Sequence, residues 1–509
     1  MTTHPPASAA TPPVVSGAAP IAVPAVLAVP AATHLCAPPA VPLDLSHPGR
    51  YHVVGVGGPG MNAIALVLAG MGHQVTGSDV REGPAIDRLR AAGVRVVIGH
   101  DPDVVRGVDA VTASSAIPAD NIELAAARTL GIPTLRRAGM LASICARASS
   151  VAVAGTHGKT TTTSMVAAIL DSAGFNPSMI VGGDVQNLGT GARWTGAAHL
   201  VVEADESDGT FVELPLHASV LTNIERDHLD HFGSFDAIVA GFDRYLAQIA
   251  GPKVVCVDDP NGAVLATRHD AIGYGRAAHA RWRPIDVTVA HGVQRFAVER
   301  DGERLGEVTL PLRGAHNVLN ATAAIALGDA LGAPFAAAVE ALASFGGVVR
   351  RFDVRARHHG ITLVDDYAHL PTEIAAVLEA AANGGDGFRR IVAVFQPNRF
   401  QRMAILSPEY RDAFVRADLA VVTEIYPSGE ASIPGVTGRW VVDAVAEAHP
   451  DADIEWIPAR SELISFLADE LRDGDVCVSM GCGDIERLPS ELVEHWRRNT
   501  APDRSRHES

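Results

Sequence analysis

Residues 155–161, Gly-Thr-His-Gly-Lys-Thr-Thr, carry the chemistry of a phosphate cradle. Backbone N–H groups at a helix start point at an anion, and the helix dipole adds to their pull. The compact ammonium of Lys159 suits the outer phosphates of a nucleotide, and the Thr160 hydroxyl suits Mg2+. The loop is shorter than a full Walker A motif, because Val153 stands where that motif has its first glycine. Of 41 Lys and Arg residues only Lys159 and Lys253 are lysines, so a lysine survives in this loop although arginine has replaced it nearly everywhere. A planar guanidinium would fit less well there. A second glycine turn, Gly55, Gly57, Gly58 and Gly60, is followed by Ser78-Asp79 about twenty residues later, the spacing of a dinucleotide fingerprint with Asp79 on a ribose. Any diphosphate, including that of a UDP-sugar, suits such a helix start.

Carboxylates gather elsewhere. Glu203, Asp205, Glu206 and Asp208 lie within a few residues and repel one another unless cations neutralise them. Mg2+ is the hard cation that accompanies nucleotides. His228 sits between Asp227 and Asp230 after the next apolar run. His316, Asn317 and Asn320 open a helix, where an asparagine either reads an adenine edge or caps the helix. Arg350 and Arg351 suit a phosphoryl group. Asp365, Asp366, Tyr367 and His369 form one loop, and Arg399 with Arg402 forms another that suits a carboxylate such as that of a small amino acid.

Strands and helices must position these groups. Residues 51–146 alternate short apolar runs with helical stretches, which is a βαβ pattern and implies a parallel sheet. The pattern restarts at 151 and again at 346. The polar residues fall at the carboxyl ends of predicted strands, the ligand-binding edge of open α/β sheets. The chain has 509 residues, enough for roughly three domains. Its net charge of −17 argues against a nucleic-acid surface and fits a soluble cytosolic protein. Five scattered cysteines read as small core residues of a reducing compartment. Residues 1–45, rich in Ala and Pro and nearly uncharged, are expected to be disordered.

Taken in order, GVGGPGM, AGTHGKTTTTSM, EADESD, TNIERDHLDHFG, HNVLNATAAIA, RRFDV, DDYAHLPTEIAA, VFQPNRFQR and YPSGE resemble the Mur ligases of peptidoglycan synthesis. The resemblance covers about residues 50–490 and implies an α/β fold of three domains. These are a Rossmann-like N-terminal domain (48–146) for the UDP-sugar, a central P-loop ATPase-type domain (147–345) for ATP, and a Rossmann-like C-terminal ligase domain (346–492). An Ala/Pro-rich tail (1–47) precedes them and a charged tail (493–509) follows. The implied substrates are UDP-N-acetylmuramate, L-alanine and ATP with Mg2+, in the cytoplasm.

The implied nucleotide residues are Gly155, Thr156, His157, Gly158, Lys159, Thr160 and Thr161, joined by Asn320, Arg350, Arg351 and Asp366. The implied UDP-sugar residues are Gly57, Gly58, Gly60, Met61, Ser78, Asp79, Ser115 and His157. Thr160, Glu203 and His228 are the implied metal ligands, and Lys159, His228, His369, Arg399 and Arg402 the catalytic set. The chain departs from the family pattern at Leu370 and Asn398, where histidines are usual, and at Cys482, where alanine is usual; glycine or serine therefore stays open as the amino acid. Three other readings stay open: a sister ligase that attaches a recycled tripeptide to the same UDP-sugar, a nicotinamide-dependent dehydrogenase resting on Gly55–Gly60 and Asp79, and an ATP-binding regulatory protein that has lost catalysis, against which Lys159, Glu203 and His228 argue. The sequence leaves the oligomeric state open between monomer and dimer.

Overall fold

The structure is a computed structural model that describes residues 42–114, 116–207 and 209–500. Three sheets carry it. The first has five parallel strands in the order Arg95–Ile98, Gln74–Asp79, Arg50–Val54, Ala110–Ala113, Thr134–Arg136. Strand Arg50–Val54 ends in the glycine turn, and helix Pro59–Gly70 begins there.

The central sheet has ten strands. Its parallel part runs Ile272–Tyr274, Lys253–Cys256, Ala218–Leu221, Ser149–Ala154, His199–Glu203, Ser178–Val185. Ser149–Ala154 sits in its middle and is buried on both faces from Ser150 onward, as its unbroken run of small apolar residues requires. An antiparallel meander, Trp282–Ala290, Val293–Arg300 and Glu303–Leu310, extends one edge. The third sheet has six strands in the order Asp353–His358, Ile361–Asp366, Asp475–Met480, Arg390–Phe395, Leu419–Val422, Ile454–Trp456. Only its first pair is antiparallel.

Core packing ties these sheets together unequally. One continuous apolar cluster runs from Val53 and Ile64 of the first sheet and its helix to Leu200 and Phe242 of the central unit. The other face of the central sheet packs on helices Lys159–Ser172, Ala315–Ala330 and Phe335–Ala343. The third sheet has clusters of its own on its two faces, and these include no residue of the first two sheets. The first two units are therefore welded by burial, whereas the third is joined to them largely through polar contacts.

Two ends of the chain differ from expectation. Within the segment expected to be a disordered tail, Leu45 is 3% exposed and belongs to the first core cluster, with the Leu43 N–H on Ser143 Oγ at 2.9 Å. Leu43 and Leu45 dock the described end of this segment; residues 1–41 lie outside the described residues. At the other end, helix Leu488–Thr500 runs past the expected boundary at 492, with Leu492 fully buried.

Leu200 lies on the central strand next to Ser149–Ala154 and is fully buried. Leu200→Ala is expected to cost about 2–5 kcal/mol, read as a lower urea midpoint of the first two units. A loss under about 1 kcal/mol would mean that this face is not a continuous core.

Candidate active site

The site begins at the sharp turn between Ser149–Ala154 and helix Lys159–Ser172. Two glycines make the turn possible. Gly155 has φ +124° and packs on Thr222 and Asn223; Gly158 has φ +78°, and a Cβ there would meet Asn320 Oδ1 at 2.6 Å. Neither position accepts a side chain without strain. Asn320, 6% exposed and bonded to Asn317 Oδ1 through its own Nδ2 at 3.1 Å, thus lies directly against the glycine loop. The Thr222 hydroxyl donates to the His157 carbonyl at 2.6 Å, and Asn223 holds the His157 N–H at 2.8 Å. The residues after strand Ala218–Leu221 therefore fix the loop from behind.

Lys159 Nζ donates to the carbonyls of Gly155 and Thr156 at 2.7 and 3.0 Å and to Glu206 Oε1 at 2.9 Å. Burial opposes its charge, but Glu206, Glu203 and Asp205 outweigh burial and raise its pKa. Burial, reinforced by Asp205, pushes the Glu206 carboxyl up to about 7 against the pull of Lys159. Glu206 Oε2 is buried with no hydrogen-bond partner. Asp205 is held at about 2: burial works against this, but Arg137, at 3.0 Å, and Lys159 prevail. Arg137 comes from the first unit, so the acidic loop bridges the two welded units. Asp208 lies outside the described residues.

Thr160 Oγ1 donates to Glu203 Oε1 at 3.0 Å, and Glu203 Oε2 accepts the Gly182 N–H at 2.7 Å. A hydroxyl and a carboxylate side by side at the head of a phosphate loop are the oxygen donors that Mg2+ uses, with phosphates and waters completing its shell. The donor set therefore fits the metal. His228 takes a different place. Its backbone is left-handed, φ +52°, and its Nε2 lies 3.2 Å from Asp227 Oδ2. Burial, with help from Arg402 and Lys159, lowers its pKa to about 4, so the ring is neutral. Among the described residues no three His, Cys, Asp or Glu side chains gather in a metal-ligand arrangement.

The third domain meets this loop through charge. His157 Nδ1 lies 3.0 Å from Glu373 Oε1, and its Nε2 lies 3.1 Å from Glu225 Oε2 and 3.1 Å from Thr372 Oγ1. Burial opposes the charged ring, but Glu373 and Glu225 hold its pKa up at about 9. Arg402, 8% exposed on its side chain, donates to Asn398 Oδ1 at 2.7 Å and to Asp227 Oδ1 of the central unit at 3.0 Å. Asn398 thus serves to aim Arg402. His369 Nδ1 lies 3.2 Å from Glu373 Oε2, and burial and Arg402 lower its pKa. Leu370, in the place of a second histidine, is buried in the third domain's core. Arg399 has a left-handed backbone, φ +64°, and its N–H donates to the Tyr426 carbonyl at 2.9 Å.

Between loop and third domain lies a cavity of about 490 Å3, bordered by Gly158, Thr161, Asn320, Arg351, Asp366 and Glu373 among others. A nucleotide-sized space thus has the glycine loop on one wall and the third domain on the other. Burial raises Asp366 to about 6, although its oxygens accept the Phe352 and Ala368 N–H groups at 2.6 and 2.7 Å. Arg350 turns away from the cavity. Its guanidinium is engaged by Asp365 at 2.9 Å, Glu486 at 3.0 Å and the Gly481 carbonyl at 2.7 Å, because left-handed φ at Arg350 throws it onto the sheet edge. The expectation of a phosphate-gripping pair reduces to Arg351.

In the first unit, Gly57 N–H donates to Asp79 Oδ2 at 2.8 Å, so Asp79 shapes the turn itself. Gly58 caps helix Pro59–Gly70 with extended backbone, and Gly60 faces Arg137. Two expected UDP-sugar residues point inward. Met61 is 2% exposed in the core, on the helix face turned to the sheet. The Ser78 hydroxyl donates to buried Glu123 at 2.6 Å. Ser115 lies outside the described residues. Sequence reasoning missed Glu225, Glu373 and Arg137; Glu225 and Arg137 signal only as polar residues after a strand and Glu373 only as a helix-capping glutamate, and their partners are distant in sequence.

The fold and the order of its sites define a class. Family models match residues 50–149 (Mur ligase family, catalytic domain), 153–328 (Mur ligase middle domain) and 350–483 (Mur ligase, glutamate ligase domain), and the chain belongs to the Mur ligase family. More particularly, it is 45% identical over 458 residues to a UDP-N-acetylmuramate–L-alanine ligase of Acidothermus cellulolyticus, covering 88% of this chain and 95% of that one. It is 42% identical to the protein of the same name from Nitrobacter winogradskyi, covering 87% and 98%. A solved UDP-N-acetylmuramate–alanine ligase of Thermotoga maritima superimposes with a TM-score of 0.75 at 30% identity, covering 89% of this chain and all of that one. A murein peptide ligase of Psychrobacter arcticus shares the fold at 24% identity, with a TM-score of 0.66 and coverage of 88% and 98%.

The His157 bridge has a definite pH dependence. Its folded pKa of about 9 lies above the ordinary 6.5, so its stabilisation is complete below pH 6.5 and is lost as pH rises through 9. Urea unfolding of the parent and His157→Gln is expected to differ most near pH 6 and to converge by about pH 9.5. A difference that stays constant or widens would contradict the charged bridge.

Proposed function

We infer that the chain joins the carboxylate of UDP-N-acetylmuramate to the amine of L-alanine, using ATP and releasing ADP and phosphate, in peptidoglycan precursor synthesis. The observation that carries this reading is a phosphate-binding loop walling a nucleotide-sized cavity, in a chain 45% identical over nearly its whole length to a ligase of that name. A carboxylate does not condense with an amine at neutral pH. Transfer of the terminal phosphoryl group of ATP to the carboxylate gives an acyl phosphate, whose carbonyl the neutral amine attacks. The tetrahedral oxyanion then collapses, and phosphate leaves with the electron pair of the broken C–O bond.

The residues divide this work. Lys159 exchanges Glu206 and its loop carbonyls for the terminal phosphate and stabilises charge spread over the transferred group. Asn320 and the walls around Gly158 orient the nucleotide. Thr160 and Glu203 would hold Mg2+, which when bound supplies positive charge against the phosphate oxygens. Arg402 and Arg399 receive the amino-acid carboxylate, and His369, near Arg402, orients the amine. Docking of the third domain excludes water from the acyl phosphate. The glycine turn at Gly55–Gly60 takes the UDP-sugar diphosphate. ATP and its precursor sugar place the reaction in the cytoplasm; no helix among the described residues is long and apolar enough to cross a membrane.

The dehydrogenase reading leaves Lys159, Glu203 and the third domain without a role. Against the tripeptide reading stands the 45% identity to a ligase named for L-alanine. Phosphate release from ATP is expected with UDP-N-acetylmuramate and L-alanine together, and not with tripeptide in place of L-alanine. Release with tripeptide alone would move the reading to the sister ligase. Lys159→Ala is expected to lower turnover at least about a hundredfold while the UDP-sugar still binds; undiminished turnover would show the loop misassigned.

A further inference from the structure

Glu373 does two jobs with its two oxygens. Oε2 accepts the backbone N–H groups of His369 and Leu370 at 2.9 and 3.2 Å, which closes the first turn of helix Pro371–Ala382. It also lies 3.2 Å from the His369 ring. Oε1 instead leaves its own domain and meets His157 of the glycine loop at 3.0 Å. Beside it Thr372 donates to Glu225 of the central unit at 2.8 Å. One buried carboxylate therefore touches both the loop that would hold ATP and the histidine beside the amino-acid arginines. Burial works against its charge, but His369 and His157 hold its pKa well below the ordinary carboxylate range.

Helix capping alone does not explain this arrangement. A glutamate at the third helical position caps with one oxygen, and its second oxygen ordinarily faces water. Here the second oxygen is aimed across the domain junction at a histidine that Thr222 and Asn223 lock through its backbone. The apolar clusters of the third sheet exclude the other two, so polar contacts of this kind decide how that domain sits.

We propose that Glu373 is a positioning residue of the ligase reaction: by bridging His157 and His369 it couples the nucleotide loop to the amino-acid site, so that His369 and Arg402 reach their working places only when the third domain is docked on that loop. The proposal rests on the ligase reading. It implies that nucleotide binding by the central unit survives loss of the bridge, while use of the amino acid does not.

Glu373→Gln separates the two jobs. Glutamine keeps a carbonyl oxygen for the helix cap, but turns an NH2 group toward the charged His157 ring, so two donors face each other. The experiment compares the parent, Glu373→Gln, His157→Gln and the double variant, with ATP, UDP-N-acetylmuramate and L-alanine. The expected result for Glu373→Gln is a thermal midpoint lowered no further than in His157→Gln, with KM for L-alanine raised and kcat lowered about tenfold each and Kd for a non-hydrolysable ATP analogue changed less than about twofold. In the double variant the loss is expected to match the larger single loss, because both substitutions break one contact.

Three results would overturn the proposal: unchanged L-alanine kinetics in Glu373→Gln, KM for ATP and L-alanine rising equally, or single losses that multiply in the double variant. The parent enzyme in the same assay keeps the two levels apart. If it releases no phosphate with L-alanine, the ligase reading fails, whereas a normal parent with an indifferent Glu373→Gln removes only the bridge.

Discussion

Phosphate must be met by backbone N–H groups and a lysine where no side chain obstructs them, and that constraint governs the site. Gly155 and Gly158 satisfy it, both with left-handed backbone and both pressed against neighbouring polar groups. Because the loop is tight, everything around it must be placed to fractions of an ångström. The central strand Ser149–Ala154 supplies that precision through burial on both faces. Strand ends on either side then deliver Glu203 to Thr160, and Thr222 and Asn223 to the back of the loop.

The constraint also explains the division of the fold. A site that binds a sugar nucleotide, ATP and an amino acid must open between turnovers. The first two units share an apolar cluster, which makes a firm base. The third keeps its clusters to itself and reaches the base with ions: Glu373 to His157, Arg402 to Asp227, and Arg313 paired with Asp386 at 2.6 and 2.8 Å. Charged contacts between separate cores form and break with less cost than a shared apolar interface does. Such a joint suits a domain that must close over an acyl phosphate and release its product.

Much of this was legible in the chain. The phosphate loop, the strand-end carboxylates and the repeated α/β units follow from local pattern, because turn chemistry and periodicity are local. Asn320 against the loop was readable only through resemblance. What was hidden depends on distant partners. Nothing local distinguishes Glu373 from an ordinary helix-capping glutamate, or shows that Arg350 folds back on Asp365, Glu486 and Gly481 while Arg351 enters the cavity. Met61 and Ser78 turn their side chains inward for the same reason: a glycine turn announces a binding site, but the direction of the side chains near it is set by the core. The antiparallel meander from Trp282 to Leu310 alternates polar and apolar residues, yet its charges resemble a loop when read without the neighbouring strand.

The central claim is that phosphorylation of the sugar acid precedes the amide bond. It is tested most directly with UDP-N-acetylmuramate carrying heavy oxygen in its carboxylate. If an acyl phosphate forms, the phosphate released during L-alanine addition carries one heavy oxygen from the sugar. Released phosphate free of the label, with amide product formed normally, would contradict the account.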